Sequence, residues 1–185
     1  MERVKKSATN FYKSLYYLFA SIFGYVIIRD LDCLPPMMGG NGVLVKMFDD
    51  YPTFEKHPFF DFYYVFITGY HLESLYTHLF GSKNTDYTEM IFHHVLTLNL
   101  IFISYLSCFT KGGILVLWLH LWADIFTAFT RAVSNIKDIY ALISYLFLLT
   151  TWFYSRLYSF GFIIYEIFVT DVHIHGIDQN LRNNF

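Results

Sequence analysis

The stretch that decides the fold is DYTEMIFHHVLTLNLIFISYLSCFTKGGILVLWLHLWADIFTAFTR, residues 86–131. It contains two apolar runs, Tyr87–Phe109 and Gly113–Val133, each long enough to cross a hydrocarbon layer of about 30 Å. The short turn Cys108–Gly113 predicts that the two helices are antiparallel neighbours. Hydrophobic residues make up 55% of the chain and charged residues only 15%, which is typical of a protein embedded in lipid.

Three further apolar runs extend this pair of helices. They are Phe11–Ile28, Pro58–Phe80 and Asp138–Thr170. The sequence therefore predicts an all-α fold, a polytopic membrane helix bundle with about five transmembrane helices. We divide the chain into an N-terminal anchor helix with an interfacial loop (1–57), a transmembrane core (58–170) and a polar C-terminal tail (171–185).

The last apolar run is longer than a membrane is thick. A straight helix over Asp138–Thr170 would be about 48 Å long, so we expect it to break, tilt or protrude. Gly161 is the predicted position of a break. Arg156 inside this run needs an acidic partner. The candidates are Asp124, Glu166 and Glu73.

Ionisable residues lie inside the two central runs, where charge is costly and marks a functional site or a buried polar network. On the first run Glu89 and His93 share a helix face with Thr97, at spacings of four residues. His94 is adjacent. On the second run one face carries polar residues in the same way, namely His120, Asp124, Thr127 and Arg131.

These residues lie in a pattern that resembles a known family. The motifs are HHVLT at residues 93–97, LIFISY at 100–105 and GILVLWLH at 113–120, followed by Asp124. They are similar to those of the TLC-domain family, which includes the ceramide synthases and the translocating-chain-associated membrane protein. The resemblance covers Phe60–Phe168. It implies a TLC-like helical core (58–170).

The resemblance also implies a catalytic set, made of His93, His94, His120 and Asp124. In an acyl-CoA-dependent N-acyltransferase acting on a sphingoid base, His93 or His94 would serve as general base or transient acyl carrier. Asp124 would orient or charge-stabilise a histidine.

Two departures from the family pattern favour a different function. Leu121 stands where the synthases have an aspartate, and Ala128 stands where they have a glutamate. A synthase also continues through at least one more spanning helix where this chain ends. We therefore favour a catalytically degenerate protein, a pseudoenzyme in which these residues, with Glu89 and Arg156, form a buried polar network. It would act as a structural or lipid-binding accessory subunit of a larger membrane complex; the alternative is an active sphingolipid N-acyltransferase.

The remaining composition restricts the ligands and partners. Cys33 and Cys108 match no zinc or CxxC pattern and are predicted to be free thiols. No metal and no cofactor is expected, with a haem or metal held by the histidines as a minor alternative. Acyl-CoA would be a substrate if the protein is an enzyme, and a bound lipid is expected otherwise.

A net charge of −2 without a basic block argues against nucleic acid, so the expected partners are membrane lipids and other subunits of a membrane complex. A weak excess of Lys and Arg places the N-terminus on the cytosolic or matrix side. Small multi-pass accessory subunits are typical of energy-transducing membranes. We therefore favour the mitochondrial inner membrane, with the endoplasmic reticulum as the alternative.

Overall fold

The computed structural model describes residues 2–49, 51, 53, 56–81, 87–134 and 138–169. Across these ranges the chain is helical and has no strand. The helices are α1 (Glu2–Ile28), α2 (Phe60–Phe80), α3 (Tyr87–Leu106), α4 (Thr110–Val133) and α5 (Asp138–Trp152). Three of them, α1, α3 and α4, are long and apolar enough to cross a membrane. The predicted all-α membrane bundle is confirmed, while the polar tail lies outside the described residues.

The helix α4 forms the centre of the bundle. It packs most extensively on α1, then on α5, and it also contacts α3. Its buried residues occupy most of its circumference, as expected of a helix surrounded by others. The helix α2 packs mainly on α3. It meets α1 through a cluster of aromatic rings, in which Tyr16 stacks on Tyr70 with centroids 3.9 Å apart.

The contact between α1 and α4 follows a repeat of seven residues. Ser14 Oγ donates a hydrogen bond to the carbonyl of Ile125 at 3.1 Å. One heptad later on α1, the carbonyl of Ser21 accepts a hydrogen bond from Trp118 Nε1 at 2.9 Å. One heptad earlier, the Ser7 hydroxyl donates to the carbonyl of Ala132. Small residues at this spacing let two antiparallel helices approach closely and hydrogen-bond in lipid.

The turn between α3 and α4 is shorter than the sequence predicts. The helix α4 begins at Thr110, so the predicted turn through Gly113 is wrong. Cys108 makes the turn, with a left-handed φ of 57°. Gly113 lies in the first turn of α4, where a Cβ atom would lie 2.5 Å from Tyr64 Oη and 2.6 Å from Ser104 Oγ. This glycine therefore permits a close approach of helices rather than a change of chain direction.

The connection between α1 and α2 is packed on the bundle. It contains two 3-10 turns, Pro36–Met38 and Leu44–Phe48. Cys33 and Leu34 are fully buried. Lys111 of α4 anchors the connection by donating to the Asp49 carbonyl at 3.1 Å, with the Asp32 carboxylate at 3.7 Å.

Both cysteines are free thiols, as predicted. Burial raises the pKa of the Cys33 thiol to about 11, so this side chain remains protonated at neutral pH.

The C-terminal helix, residues 138–169, does not break at Gly161. Instead, α5 passes into a π-helical segment, Phe153–Ser159, and regular helix resumes from 160 to 169. The wider π-helical turns carry Arg156 towards α4, and they bury Ser155 and Ser159. Segments of this kind occur frequently at functional sites. The predicted irregularity is therefore present, but it lies around Arg156 and not at Gly161.

We predict that Gly24→Ala lowers the free energy of unfolding by about 1–3 kcal/mol, because it overpacks the junction of three helices. A Cβ atom at Gly24 would overlap the hydroxyl of the buried Tyr63 of α2 and lie 3.0 Å from Trp118 Cδ1 of α4. Thermal unfolding of the purified protein in mild detergent measures the effect.

Gly69→Ala is the matched control for this experiment. A Cβ atom at Gly69 would meet nothing within 4 Å. This substitution should leave the unfolding midpoint unchanged or raise it, since alanine favours helix over glycine by about 1 kcal/mol. An equal effect of the two substitutions would contradict the packing described here.

Candidate functional site

The paired histidines of α3 lie beside the same cavity. His94 is fully buried, and His93 is half-buried. Both side chains line a cavity of about 180 Å³. We call it the polar cavity, because its wall also carries charged residues of the other helices, namely Lys13, Asp124, Arg131 and Arg156.

The helix α2 holds His94 by both ring nitrogens. His94 Nδ1 lies 3.2 Å from Nδ1 of His71, and His94 Nε2 lies 3.0 Å from Ser74 Oγ. His78, one turn further, donates from Nδ1 to the carbonyl of Ser74 at 2.8 Å. The sequence reasoning did not assign His71 or Ser74 to the site. The sequence does show that His71, Ser74 and His78 share one face of the helix, because Ser74 and His78 follow His71 by three and seven residues. That face was the available signal for their role.

The charged pair of the site joins α4 to the π-helical segment. Arg156 Nη2 donates to Asp124 Oδ1 at 3.1 Å, and it lies 3.5 Å from the carbonyl of His120. The side chains of Arg156 and Asp124 are only 18% and 14% exposed. Of the three acidic candidates named from the sequence, the structure therefore pairs Arg156 with Asp124.

A second cavity is lined by α3, α4 and the C-terminal helix, which also contribute to the wall of the polar cavity. It has a volume of about 260 Å³ and an almost entirely apolar wall, so we call it the apolar cavity. Its lining includes Thr97, His120 and Phe160. Each of these lies one helical turn from a residue of the polar cavity, because His93, Asp124 and Arg156 stand four residues away on the respective helices.

The predicted site residues are thus divided between two cavities. His93, His94 and Asp124 line the polar cavity, together with Thr127 and Arg131 of the predicted α4 face. His120 lines the apolar cavity instead, and its Nδ1 donates to the Val116 carbonyl at 2.7 Å.

Glu89 does not belong to the buried network that the sequence predicts. Its side chain is exposed. It lies in the first turn of α3, where a carboxylate can remain solvated and complement the helix dipole. Arg156, in contrast, does belong to the network.

The two departures from the family pattern fall in different surroundings. Leu121 is 1% exposed and packs in the hydrophobic core. Ala128 lines the polar cavity. A carboxylate at residue 121 would be placed among apolar side chains, whereas one at residue 128 would face the histidines' cavity.

The sequence model of a protein family described as the TLC domain matches residues 6–184. The chain belongs to the TLC-domain family. Among its relatives, ceramide synthase hyl-1 of Caenorhabditis elegans is 26% identical over 176 residues, which are 92% of this chain and 45% of that protein. Sphingosine N-acyltransferase lag1 of Schizosaccharomyces pombe is 27% identical over 144 residues, which are 76% of this chain and 36% of that protein.

A plant relative, ASC1-like protein 1 of Oryza sativa subsp. japonica, is 29% identical over 123 residues, which are 62% of this chain and 40% of that protein. This TLC-domain protein therefore spans less than half the length of these relatives. The family match is wider than the region of resemblance noted from the motifs, Phe60–Phe168, because it takes in α1 from residue 6. The close packing of α1 on α4 fits this extension.

Metal binding was predicted to be absent, and this stays a prediction. Among the described residues, no group of three or more His, Cys, Asp or Glu side chains is arranged to hold a metal ion. His173 and His175 lie outside those residues.

We predict that Asp124 and Arg156 are strongly coupled in stability. Asp124→Asn or Arg156→Met alone leaves a half-buried charge without its partner, which costs about 3–5 kcal/mol for a fully buried pair and less here. The double variant should recover at least about 1 kcal/mol of that loss. Unfolding in detergent of the wild type, both single variants and the double variant measures the coupling.

The pair Lys56–Asp61 is the matched control. Its atoms are almost as close, at 3.2 Å, but its side chains are 37% and 58% exposed. The corresponding variants, Lys56→Met and Asp61→Asn, should show a coupling below about 0.5 kcal/mol. Equal coupling in the two pairs would show that the intramembrane pair is no more than a surface contact.

Proposed function

We propose that this protein transfers an acyl group from an acyl thioester, acyl-CoA, to the amine of a long-chain base. The observation that carries the proposal is the placement of the two cavities one helical turn apart along α3, α4 and the C-terminal helix. An apolar chamber beside a chamber of histidines and charges matches a substrate whose long tail ends in a reactive carbonyl. The printed names of the relatives, a ceramide synthase and a sphingosine N-acyltransferase, fit the same reaction.

The substrate would extend along α3, α4 and the C-terminal helix, the three helices that line both cavities. Its acyl chain would lie in the apolar cavity beside Phe160, and its carbonyl would reach the level of Asp124 and Arg156. Lys13 and Arg131 of the polar cavity would attract the phosphates of the CoA group. The weak excess of Lys and Arg predicted on the N-terminal side of the membrane favours entry of CoA from the cytosol or matrix.

Arg156 is suited to stabilise the developing oxyanion. Its Nη2 is bound to Asp124, but its buried Nε has no hydrogen-bond partner among the described residues. A buried donor of this kind in a positively charged group favours negative charge on a nearby carbonyl oxygen. The ion pair with Asp124 would hold the guanidinium in place during the reaction.

His93 is the residue that would activate the amine. A long-chain base attacks a carbonyl only when its amine has lost a proton, so a neutral imidazole in the cavity supports the reaction. The ring nitrogens of His93 make no hydrogen bond within the described part of the chain, whereas both nitrogens of His94 are engaged. His93 would therefore accept the proton from the incoming ammonium group.

A second candidate function is a structural or lipid-binding accessory subunit without turnover. Leu121 and Ala128 favour it, because both carboxylates that the resemblance implies are replaced by apolar side chains. The His–Ser and Asp–Arg contacts would then serve to hold the helices together. A mitochondrial inner-membrane complex is the proposed setting for this candidate, and the endoplasmic reticulum is the alternative.

We predict that the purified protein forms an amide from a long-chain acyl-CoA and a sphingoid base, detected by mass spectrometry. His93→Ala should lower the rate by a factor of about 10²–10⁴, the usual contribution of a general base. His57→Ala is the matched control, because His57 precedes α2 and lines neither cavity. If the wild type forms no amide under conditions in which it remains folded, the N-acyltransferase proposal is wrong.

Native electrophoresis in mild detergent tests the second candidate. An accessory subunit should migrate within a large assembly, together with stoichiometric partners identified by mass spectrometry, and the identity of those partners would give the compartment. Migration as a monomer or small oligomer, combined with amide synthesis, would exclude the accessory function without turnover.

A further inference from the structure

The hydroxyl group of Ser74 departs from the common arrangement in this bundle. The hydroxyls of Thr68, Thr97 and Thr127 donate to the carbonyl four residues earlier in their own helices, at 2.6, 2.8 and 2.9 Å. Ser74 Oγ instead lies 3.0 Å from Nε2 of His94 on the neighbouring helix. Ser74 is 2% exposed, and its side chain borders the polar cavity. Its hydroxyl is therefore directed at an imidazole within reach of a bound substrate.

The hydrogen bonds of His94 are compatible with proton transfer from Ser74 to His94. The contact between Nδ1 of His94 and Nδ1 of His71 requires one of these nitrogens to carry a proton and the other to accept it. When Ser74 donates to His94 Nε2, the proton of His94 is on Nδ1 and is donated to His71. In this arrangement the Ser74 hydroxyl and His94 Nδ1 each have an acceptor, and His71 carries its own proton on Nε2. The opposite arrangement leaves the Ser74 proton without an acceptor in the described residues.

We propose that Ser74 is the nucleophile that accepts the acyl group, with His94 as its general base and His71 as the positioning residue that orients His94. This inference rests on the proposed N-acyltransferase function and specifies its route. A hydroxyl, a base bound to it and a third group bound to the base are the recognised elements of an activated nucleophile. The three residues here are a serine and two histidines.

The same contacts argue against an acyl group carried by His94. Both ring nitrogens of His94 are already hydrogen-bonded, at 3.2 and 3.0 Å. An acyl group on either nitrogen would break one of these bonds inside the membrane, where replacement partners are scarce. Acylation of Ser74 leaves the bond between His94 and His71 intact.

The reaction then proceeds in two balanced steps. In the first, Ser74 Oγ attacks the thioester carbonyl, His94 Nε2 takes the hydroxyl proton, the C–S bond breaks and the proton passes to the leaving thiolate. The products are an acyl ester of Ser74 and free CoA thiol. In the second, the neutral amine attacks the ester carbonyl, His94 accepts an amine proton and returns it to Ser74 Oγ as the C–O bond breaks. The amide leaves and the enzyme is restored.

Intact-mass analysis of the full chain in detergent, incubated with acyl-CoA and no amine, tests the proposal. The expected result is a mass increase of one acyl group, located on Ser74 by peptide sequencing and removed on addition of a sphingoid base. Ser74→Ala should abolish the adduct and lower amide synthesis by a factor of at least about 10³. Ser144→Ala is the matched control, because Ser144 is buried but donates to the carbonyl of Ala141 in its own helix.

Ser74→Cys tests the same proposal if the Ser74→Ala variant misfolds. It should accumulate an acyl thioester on the introduced sulfur that neutral hydroxylamine cleaves, whereas the wild-type ester resists the same treatment. An adduct on His93 or His94, or amide synthesis preserved in Ser74→Ala, would overturn the Ser74 route and leave the N-acyltransferase function standing. Absence of both amide and adduct from the folded wild type would overturn the two together.

The positioning role of His71 has a separate readout. His71→Leu should lower the rate of adduct formation, because His94 loses the acceptor of its Nδ1 proton. His71→Asn keeps an acceptor oxygen near that nitrogen and should restore a substantial part of the rate. If both variants unfold at the same temperature as the wild type and react equally fast, His71 does not act through His94.

Discussion

The structure depends on the hydrogen-bonded contact between α1 and α4. In lipid, apolar side chains alone give helices little reason to associate, so close packing and interhelical hydrogen bonds must supply the attraction. Here the bonds recur every seven residues, through Ser7, Ser14 and the carbonyl of Ser21. They fix the rotation of α4 about its axis. That rotation in turn directs Asp124 and His120 towards α3 and the C-terminal helix.

The site follows from this rotation, because three helices then present their polar residues at one level of the bundle. Polar groups in a membrane are stable only when they are bound to one another. Arg156 and Asp124 meet this condition as an ion pair, and His94 meets it through both ring nitrogens. The protein thereby keeps charged and titratable groups beside an apolar chamber, which is the combination that a lipid reaction requires.

Sequence reasoning recovered the helices and part of the site, for reasons that are local. The apolar runs and the turn residues between them predict where α3 and α4 lie. An arginine inside the membrane, Arg156, predicts an acidic partner. The choice of Asp124 over Glu73 and Glu166 depends on helix rotation and on the π-helical segment, which spacing alone does not contain. His71 and Ser74 share a face of α2 in the sequence, but they were not assigned to the site, because spacing on one helix does not show that this face meets His94 on α3. The serines of α1 that recur every seven residues were visible in the sequence, but the helix that they contact was not.

The order in which the chain is synthesised gives the α1–α4 contact a further meaning. Ser7 and the carbonyl it binds are 125 residues apart, so α1 is complete long before α4 exists. At about 5–20 residues per second, the first helix waits roughly 6–25 s for its partner. During that interval its serine hydroxyls can bind only the carbonyls of their own helix. Docking of α4 therefore exchanges these temporary bonds for the interhelical ones, and until α4 arrives α1 lacks the partner to which Ser7 and Ser14 donate.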